Sequence, residues 1–208
     1  MSKYKGPRIR LVRRLGKISG LTNKRTDRKA RPGQHGRNRH KITQYAVRLL
    51  EKQKLRFYYS LTEKQLVSYV KKARTSKRST SEILFRQLEI RLDNILFRRS
   101  FALTLPHARQ IVNHSKVKVN RQSVTTPNYF CFVGQTIEAS LNFSNGRIYL
   151  IIRNYIPEYL EKVSPCEVKV NSNTKRKDVR INFSELLVIE YYSNRLLFLF
   201  SSLRFRGF

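Results

Sequence analysis

The spacing of apolar residues changes from a helical period to a strand period between positions 79 and 120, and this change limits the possible folds more than any other feature. From 85 to 96 an apolar residue recurs every third or fourth position, which predicts an amphipathic helix. A second helical pattern follows Thr104, a residue type that caps helices well. From 116 to 119 lysine alternates with valine, which indicates a strand. The segment therefore predicts two helices that lead directly into a small sheet.

The rest of the chain adds helices before this segment and short strands after it. Helical spacing begins at Thr43, and Thr62 with Gln65 three positions later forms a capping-box pattern that opens another helix. Asn182 followed by Glu185 favours a final helix, although the valine, isoleucine and tyrosine content leaves a strand as the alternative. Short runs rich in β-forming residues predict strands at 129–133, 136–141 and 147–152.

Positive charge runs through these patterned segments instead of being confined to a tail. The chain has 44 Lys and Arg against 13 Asp and Glu, which gives a formal net charge of +31. Self-repulsion of this size favours a polyanionic partner, and nucleic acid is the first candidate. A membrane partner is not expected, because the apolar run at 196–203 is far shorter than the roughly 18 to 20 residues of a spanning helix.

The N-terminal region is densely cationic. Residues 1–41 contain 15 Lys and Arg and a single acid, Asp27, together with a turn-rich stretch at 31–36. This composition predicts an extended basic arm whose path is fixed by the phosphates of a partner. A merely solubilising tail is the alternative, but the aliphatic residues between 9 and 18 favour docking of part of the arm.

A second cationic surface is expected where the two central helices meet the strand. The polar sides of the helices and the following hairpin project side chains that include no acid, and we expect them to share one concave surface. That surface fits a phosphate backbone, with ordinary solvated surface as the alternative. It comprises Arg98, Arg109, His114, Lys116, Lys118 and Arg121.

The candidate RNA-binding residues are basic or polar side chains of the arm, the first long helix and the second cationic surface. We expect them to neutralise phosphates while the shape of the RNA decides the site. Tyr58, Tyr59 and Tyr129 are candidates for stacking on bases, although tyrosine beside aliphatic residues more often packs in a core. The full set of RNA-binding candidates is Lys3, Lys5, Arg8, Arg10, Arg13, Arg14, Arg37, Arg39, Lys52, Lys54, Arg56, Arg91, Arg98, Arg109, Gln110, His114, Lys116, Lys118 and Arg121.

No metal or cofactor is expected. Cys131 and Cys166 lack the paired spacing of a zinc site, so we expect structural thiols in a reducing compartment. His35 and His40 lie in an arginine-rich loop, where backbone or phosphate contacts are the better explanation than metal ligation.

Four stretches occur in one order along the chain: "KYKGPRIRLVRRLG", "EKQKLRFYYSLTEKQL", "RLDNILFRRSFALTLPHARQIVNHSKVKVN" and "ELLVIEYYS". Together they make the chain resemble the small-subunit ribosomal protein S4 family of the bacterial and plastid type, over nearly its whole length to about Ser193. The resemblance implies an α+β fold, in which a discontinuous helical domain carries an inserted RNA-binding module of two helices packed on a short, mainly antiparallel sheet. The implied division is a basic arm at 1–42, a helical domain at 43–90 completed by 156–193, the inserted module at 91–155 and an extension at 194–208.

The same resemblance implies a function. Members of this family are structural constituents of the small ribosomal subunit that bind the 5′ domain of its RNA early, at a multi-helix junction, and nucleate assembly. It also implies a place near the messenger RNA entry channel beside proteins S3 and S5, and no homo-oligomer is expected. A free-standing RNA chaperone or translational regulator that uses the same module is the alternative.

Composition indicates the compartment. The chain is rich in Lys, Asn, Ile, Phe and Tyr and poor in Ala and Gly, which suits translation inside an AT-rich organelle. We therefore expect a plastid (chloroplast) ribosome, with a bacterial cytoplasm as the alternative.

Some features depart from the family pattern or compete with it. Asn120 and Arg121 stand where the family usually has Asn-Gly, which leaves open a different turn at the hairpin tip. The N-terminal region has none of the cysteines that bind zinc in some relatives. The triplet Arg91-Leu92-Asp93 resembles the catalytic triplet of pseudouridine synthases, but it lies inside a predicted amphipathic helix, so we expect no enzyme activity.

Overall fold

A computed structural model describes residues 4–28, 30–38, 41–140, 157–172, 174 and 184–193. These residues form seven helices and five strands, so the predicted α+β class is confirmed. The helices are α1 (Arg8–Leu15), α2 (Gln44–Tyr58), α3 (Glu63–Arg74), α4 (Thr80–Glu89), α5 (Leu92–Arg98), α6 (Leu105–Asn113) and α7 (185–193). The strands are β1 (Val117–Val119), β2 (Gln122–Ser123), β3 (Thr136–Ala139), β4 (Leu160–Ser164) and β5 (Glu167–Val170).

The chain forms two compact units. The first unit contains α1, α2, α3, the start of α4 and, from the far end of the chain, α7. The second unit contains the end of α4, α5, α6, the sheet and the short segment 20–23. Residues 157–170 form β4 and β5 of the sheet and therefore belong to the second unit. They had been expected to complete the helical domain.

Threonine side chains cap two helices of the first unit, α2 and α3. Thr43 accepts a hydrogen bond from the amide of Ala46, and Thr62 and Gln65 form the predicted capping box at the start of α3. The buried stripes of α2 and α3 then contribute Leu55 and Leu66, both fully buried, to the core of this unit.

Polar contacts join α7 to α2 and α3 within the first unit. Glu63 accepts hydrogen bonds from Lys52 and from the Tyr192 hydroxyl, each at 3.0 Å. Arg74 donates to Ser193 Oγ at 2.6 Å. Residues 185–193 are helical, which confirms the predicted helix and excludes the strand alternative there, although Asn182 itself lies outside the described residues.

The N-terminal arm is partly helical, which corrects the prediction of an extended arm. Pro7 stands at the N-cap of α1, where its missing amide hydrogen is not required. Leu11 and Leu15, four residues apart, are both buried, and Ile18 is also buried. The aliphatic residues therefore stabilise a helix by packing one face of it.

The predicted helix over residues 85–96 is interrupted. Helix α4 ends at Glu89 and α5 starts at Leu92, with Arg91 extended between them and bridged to Phe130. The amide of Leu92 donates to the carbonyl of Tyr129 at 2.9 Å. The prediction of a strand at 129–133 is therefore wrong. Among the described residues, this segment forms only the isolated bridge between Phe130 and Arg91.

The sheet of the second unit is antiparallel throughout, in the order β2-β1-β3-β5-β4. Alternate residues of β1, β3 and β5 form a buried apolar face, while the residues between them face outward. Strand β3 confirms the prediction at 136–141, whereas the predicted strand at 147–152 lies outside the described residues. The buried positions are Val117, Val119, Ile137, Ala139, Val168 and Val170.

Three helices end in the same way, with a serine in the left-handed backbone region. Ser60, Ser100 and Ser115 have φ values of 50°, 68° and 57° and follow α2, α5 and α6. In each case the next amide donates to a carbonyl five residues earlier, as in a Schellman motif, for example from Lys116 to Ile111 at 3.3 Å. Glycine is the usual residue at this position because a Cβ atom is strained there.

We predict that Ser115→Gly stabilises the chain by about 1 kcal/mol, since it removes the left-handed strain of a residue with a side chain. Urea unfolding monitored by circular dichroism measures this free energy. Ser115→Ala is the matched control and should give no gain, because it keeps the Cβ atom. Equal effects of the two substitutions would contradict the explanation.

Candidate nucleic-acid interface

A buried carboxylate, Asp93, organises one half of the second unit. It lies in the first turn of α5, and its oxygens accept hydrogen bonds from the Arg91 guanidinium at 2.6 and 3.1 Å. They also accept one from Arg109 of α6 at 2.8 Å. Arg91 reaches further, to Asn128 Oδ1 at 2.8 Å. One acid thus connects α5, α6 and the loop that precedes β3.

A second buried carboxylate, Glu89 at the end of α4, organises the other half. It accepts two hydrogen bonds from the Arg98 guanidinium, at 2.7 and 3.1 Å, and one from the Asn94 amide at 2.6 Å. Glu89 is fully buried. Charges removed from water are stable only when they are paired and hydrogen-bonded in this way.

These pairs correct the predicted concave surface. Arg91, Arg98 and Arg109 are at least nine-tenths buried and pair with carboxylates, so they do not line an open, acid-free surface. Lys118 faces outward, but its partner in the sheet register is Glu138. The prediction is wrong on this point because helical periodicity separates polar from apolar sides without showing which polar side chains find buried partners.

The other members of the set form an exposed series, which we call the module surface. It runs from the exposed side of α6 to the tip of the β1–β2 hairpin, and the described chain from 94 to 137 contains no acid. Thr104 caps α6 by accepting a hydrogen bond from the amide of His107, which stabilises the start of the helix. The module surface comprises Gln110, His114, Lys116, Lys118 and Arg121.

The hairpin keeps a two-residue turn despite the departure from Asn-Gly. Asn120 and Arg121 both have positive φ, 47° and 67°, as a type I′ turn requires. The Asn120 side chain accepts a hydrogen bond from the amide of Thr136 at 2.9 Å, which ties the turn to β3. The different turn left open by the sequence therefore does not occur, and Arg121 is held at the exposed tip.

The candidates of the arm fall into three groups. Arg13 is half-buried, and its guanidinium donates to the carbonyls of Ala30 and Arg31 at 2.9 and 3.3 Å. Lys3 and Arg39 lie outside the described residues. The remaining candidates are exposed, namely Lys5, Arg8, Arg10, Arg14 and Arg37.

The candidates on α2 are engaged with carboxylates. Lys52 is buried and paired with Glu63, while Lys54 pairs with Glu51. Arg56 lies 3.7 Å from Glu63 and stacks over the Phe57 ring with a 4.5 Å separation from its centroid. Lys52 stabilises the interior of the first unit through its pair with Glu63. The prediction that Lys52 lies on an RNA-binding surface is therefore wrong.

The chain matches known proteins over almost its whole length. Residues 3–89 match the family described as "Ribosomal protein S4/S9 N-terminal domain", and residues 90–137 match the "S4 domain". "Small ribosomal subunit protein uS4c" of Rhodomonas salina is 47% identical over 94% of this chain and 100% of the relative. "Small ribosomal subunit protein uS4" of Nostoc punctiforme is 47% identical over the same shares. The chain belongs to the uS4 family.

Membership of the uS4 family identifies a ribosomal, non-enzymatic protein with an RNA-binding S4 domain. The matched S4 domain spans α5, α6 and the sheet as far as β3, which includes the module surface. The geometry of the Arg91-Leu92-Asp93 triplet agrees with this, because Asp93 is 1% exposed and its oxygens are occupied by two arginines. Its carboxylate is therefore closed to a substrate.

One exposed aromatic residue and two arginines outside the predicted set are further candidates for RNA contact. Tyr58 and Tyr59 pack in the core of the first unit, which excludes them as stacking platforms. Phe132, by contrast, is 65% exposed in the turn before β3. Arg28 and Arg31 line a cleft together with Arg13. The only sequence signal for these arginines was their position beside the turn-rich stretch at 31–36.

The described ranges, 4–28, 30–38, 41–140, 157–172, 174 and 184–193, contain neither a candidate metal cluster nor a candidate membrane span. There, no three His, Cys, Asp or Glu side chains gather as metal ligands. No helix in the described part of the chain has both the length and the apolar character of a membrane span. Cys131 and Cys166 are free thiols. Burial is the main cause that raises the pKa of Cys131 to about 12, and the negative charge of the nearby Asp93 carboxylate is the smaller cause.

We predict that a thiol reagent titrates one cysteine of the folded chain at pH 8 and both after denaturation. Cys131 is buried and stays protonated well above pH 8, whereas Cys166 is partly exposed. Absorbance of the released thiolate of Ellman's reagent counts the groups, and Cys166→Ser is the control that should leave no fast reaction. Rapid labelling of Cys131 in that variant would contradict its burial.

We also predict that Asp93→Ala destabilises the chain by about 3–5 kcal/mol, because it removes the carboxylate shared by two buried arginines. Glu190→Ala is the matched control. It breaks an exposed pair with Arg48, which solvent screens, so the loss should stay below about 1 kcal/mol. Urea unfolding compares the two variants, and a similar small loss for both would show that the buried pairs do not determine stability.

Proposed function

We propose that this chain is a structural constituent of the small ribosomal subunit that binds the 5′ domain of the ribosomal RNA early and nucleates assembly at a multi-helix junction. The observation that carries the proposal is the module surface, an exposed cationic series within the S4 domain. Family membership supports the ribosomal context. The choice of the 5′ domain follows from the resemblance set out above.

The mechanism we infer is electrostatic capture of a folded RNA. Lys116, Lys118 and Arg121 neutralise phosphates and release counterions, while Gln110 and His114 donate or accept hydrogen bonds beside them. The buried pairs around Asp93 fix α5 relative to α6 before RNA arrives. Such preorganisation lowers the ordering cost of binding and lets the shape of the RNA decide the site.

The exposed cations of the arm supply a second RNA-binding surface, on the first unit. Lys5, Arg8, Arg10, Arg14 and Arg37 are its proposed members, with Lys54 and Arg56 beside them on α2. Arg91, Arg98 and Arg109 act as positioning residues, because their guanidinium groups hold the helices that present the module surface.

The wider setting is also part of the proposal. We place the chain near the messenger RNA entry channel with proteins S3 and S5 as neighbours, and as a single copy in each subunit. A plastid ribosome is favoured by the composition and by uS4c relatives such as that of Oltmannsiellopsis viridis, 47% identical over 93% of this chain. A bacterial ribosome is the alternative, since cyanobacterial uS4 proteins are similarly close.

We predict that replacing Lys116, Lys118 and Arg121 together by Ala weakens binding to 5′-domain RNA and flattens its salt dependence. If about eight phosphates are neutralised, the logarithm of affinity should fall with the logarithm of salt at a slope of roughly −6 to −7. The triple variant should lose about three units of that slope. Filter binding across a salt series gives both quantities.

The matched control replaces Lys71, Lys72 and Lys77, which are exposed at and beyond the end of α3, by Ala. It removes the same charge from a surface with no proposed contact. Equal weakening by the two triple variants would indicate non-specific attraction and contradict the assigned surface. A second experiment separates the ribosomal role from that of a free-standing RNA chaperone or regulator. A ribosomal protein should co-sediment with small subunits and protect 5′-domain RNA there.

A further inference from the structure

An arginine-lined cleft lies within the first unit, between the end of α1 and the turn-rich loop at 30–37. Its volume is about 510 Å³. Among the described residues that line it, four carry a guanidinium group and none is acidic. These are Arg13, Arg28, Arg31 and Arg37.

The cleft is shaped by the backbone as well as by charge. Arg13 anchors the loop, because its guanidinium donates to the carbonyls of Ala30 and Arg31. Gly36 allows a very close approach to this loop, since a Cβ atom added there would lie 1.9 Å from the Arg31 carbonyl oxygen. Gly33 has a φ of 104° and open space where a side chain would begin. Gly36 therefore leaves no room for a side chain, and Gly33 adopts a backbone conformation that is strained for a residue with one.

Four like charges around one cleft need a counter-charge. Surface arginines normally stay apart or pair with acids, and the lining offers none. The guanidinium fork matches the oxygens of a phosphate, and such charge-assisted hydrogen bonds are stronger than neutral ones. The volume exceeds that of a lone phosphate ion and falls in the range of small-ligand sites.

We infer that this cleft binds one backbone phosphate of the RNA together with its adjoining ribose. The inference rests on the proposed function and adds Arg28 and Arg31 to it, two residues of the basic arm that were not among the individual RNA-binding candidates. Arg13 acts mainly as a positioning residue for the loop, while Arg28, Arg31 and Arg37 supply charge to the phosphate.

The first test combines charge and geometry. Arg28→Gln with Arg31→Gln should weaken binding to 5′-domain RNA by at least about tenfold, the effect of losing a charge-assisted hydrogen bond. Gly36→Ala should weaken it similarly with every charge retained, because the loop has to move away from the Arg31 carbonyl. Lys71→Gln with Lys72→Gln is the control, since both residues are exposed on α3, outside the cleft and outside every proposed RNA-binding surface.

The second test locates the phosphate by ethylation interference. With the wild-type chain, ethylation of one phosphate or a short run should block binding, and that interference should disappear in the Arg28/Arg31 double variant while the rest of the pattern stays. Inorganic phosphate alone, followed by NMR of the arginine Nε–H groups, distinguishes a free-ion site. Saturation of the cleft by inorganic phosphate as tightly as by RNA would overturn the assignment.

The outcomes separate this inference from the proposed function. A wild-type chain that binds 5′-domain RNA, with unchanged affinity and interference pattern in the double variant, overturns the cleft and leaves the function standing. A wild-type chain that does not bind this RNA overturns both. Circular dichroism confirms that each variant is folded before its affinity is compared.

Discussion

Two buried carboxylates, Asp93 and Glu89, determine the architecture of the second unit. Asp93 pairs with Arg91 and Arg109, while Glu89 pairs with Arg98 and Asn94, and each carboxylate would be costly to bury without these partners. In a chain of net charge +31 the few available acids have a large effect, and Asp93 alone compensates two buried arginines. The interior of this RNA-binding unit is therefore ionic as well as apolar, and its exposed surface depends on that interior for its shape.

The number of Lys and Arg residues in this chain overstates the positive charge available to a partner, because some of these cations are buried in ion pairs. Arg91, Arg98 and Arg109 hold helices in place, whereas Lys116 and Arg121 are available to a partner. A cation's function thus follows from its nearest carboxylate rather than from its presence in a basic segment. The same distinction separates Lys52, paired with Glu63, from the exposed arginines of α1.

Local sequence predicted those features that local physics decides. The threonine N-caps at 62 and 104 and the alternation of β1 were predictable because each depends on neighbours within a few residues. The break at Arg91 was not, since it depends on a carbonyl at Tyr129 and a bridge to Phe130. The buried arginines were also missed, although one signal was present: Glu89 and Asp93 are the only acids between 83 and 137. Strands β4 and β5 could not be assigned from the sequence, because the short alternation of valine there also suits a loop. Their pairing with β3 and with each other identifies them as strands.

Helix α7 gives the chain a particular order of completion during synthesis. A nascent polypeptide emerges from its N-terminal end, so every described segment of the second unit is available before α7. Until then Glu63 lacks the Tyr192 hydroxyl and Arg74 lacks Ser193. Vectorial translation therefore allows the interior segment to fold first, and the part of the molecule that begins the chain is the last to close.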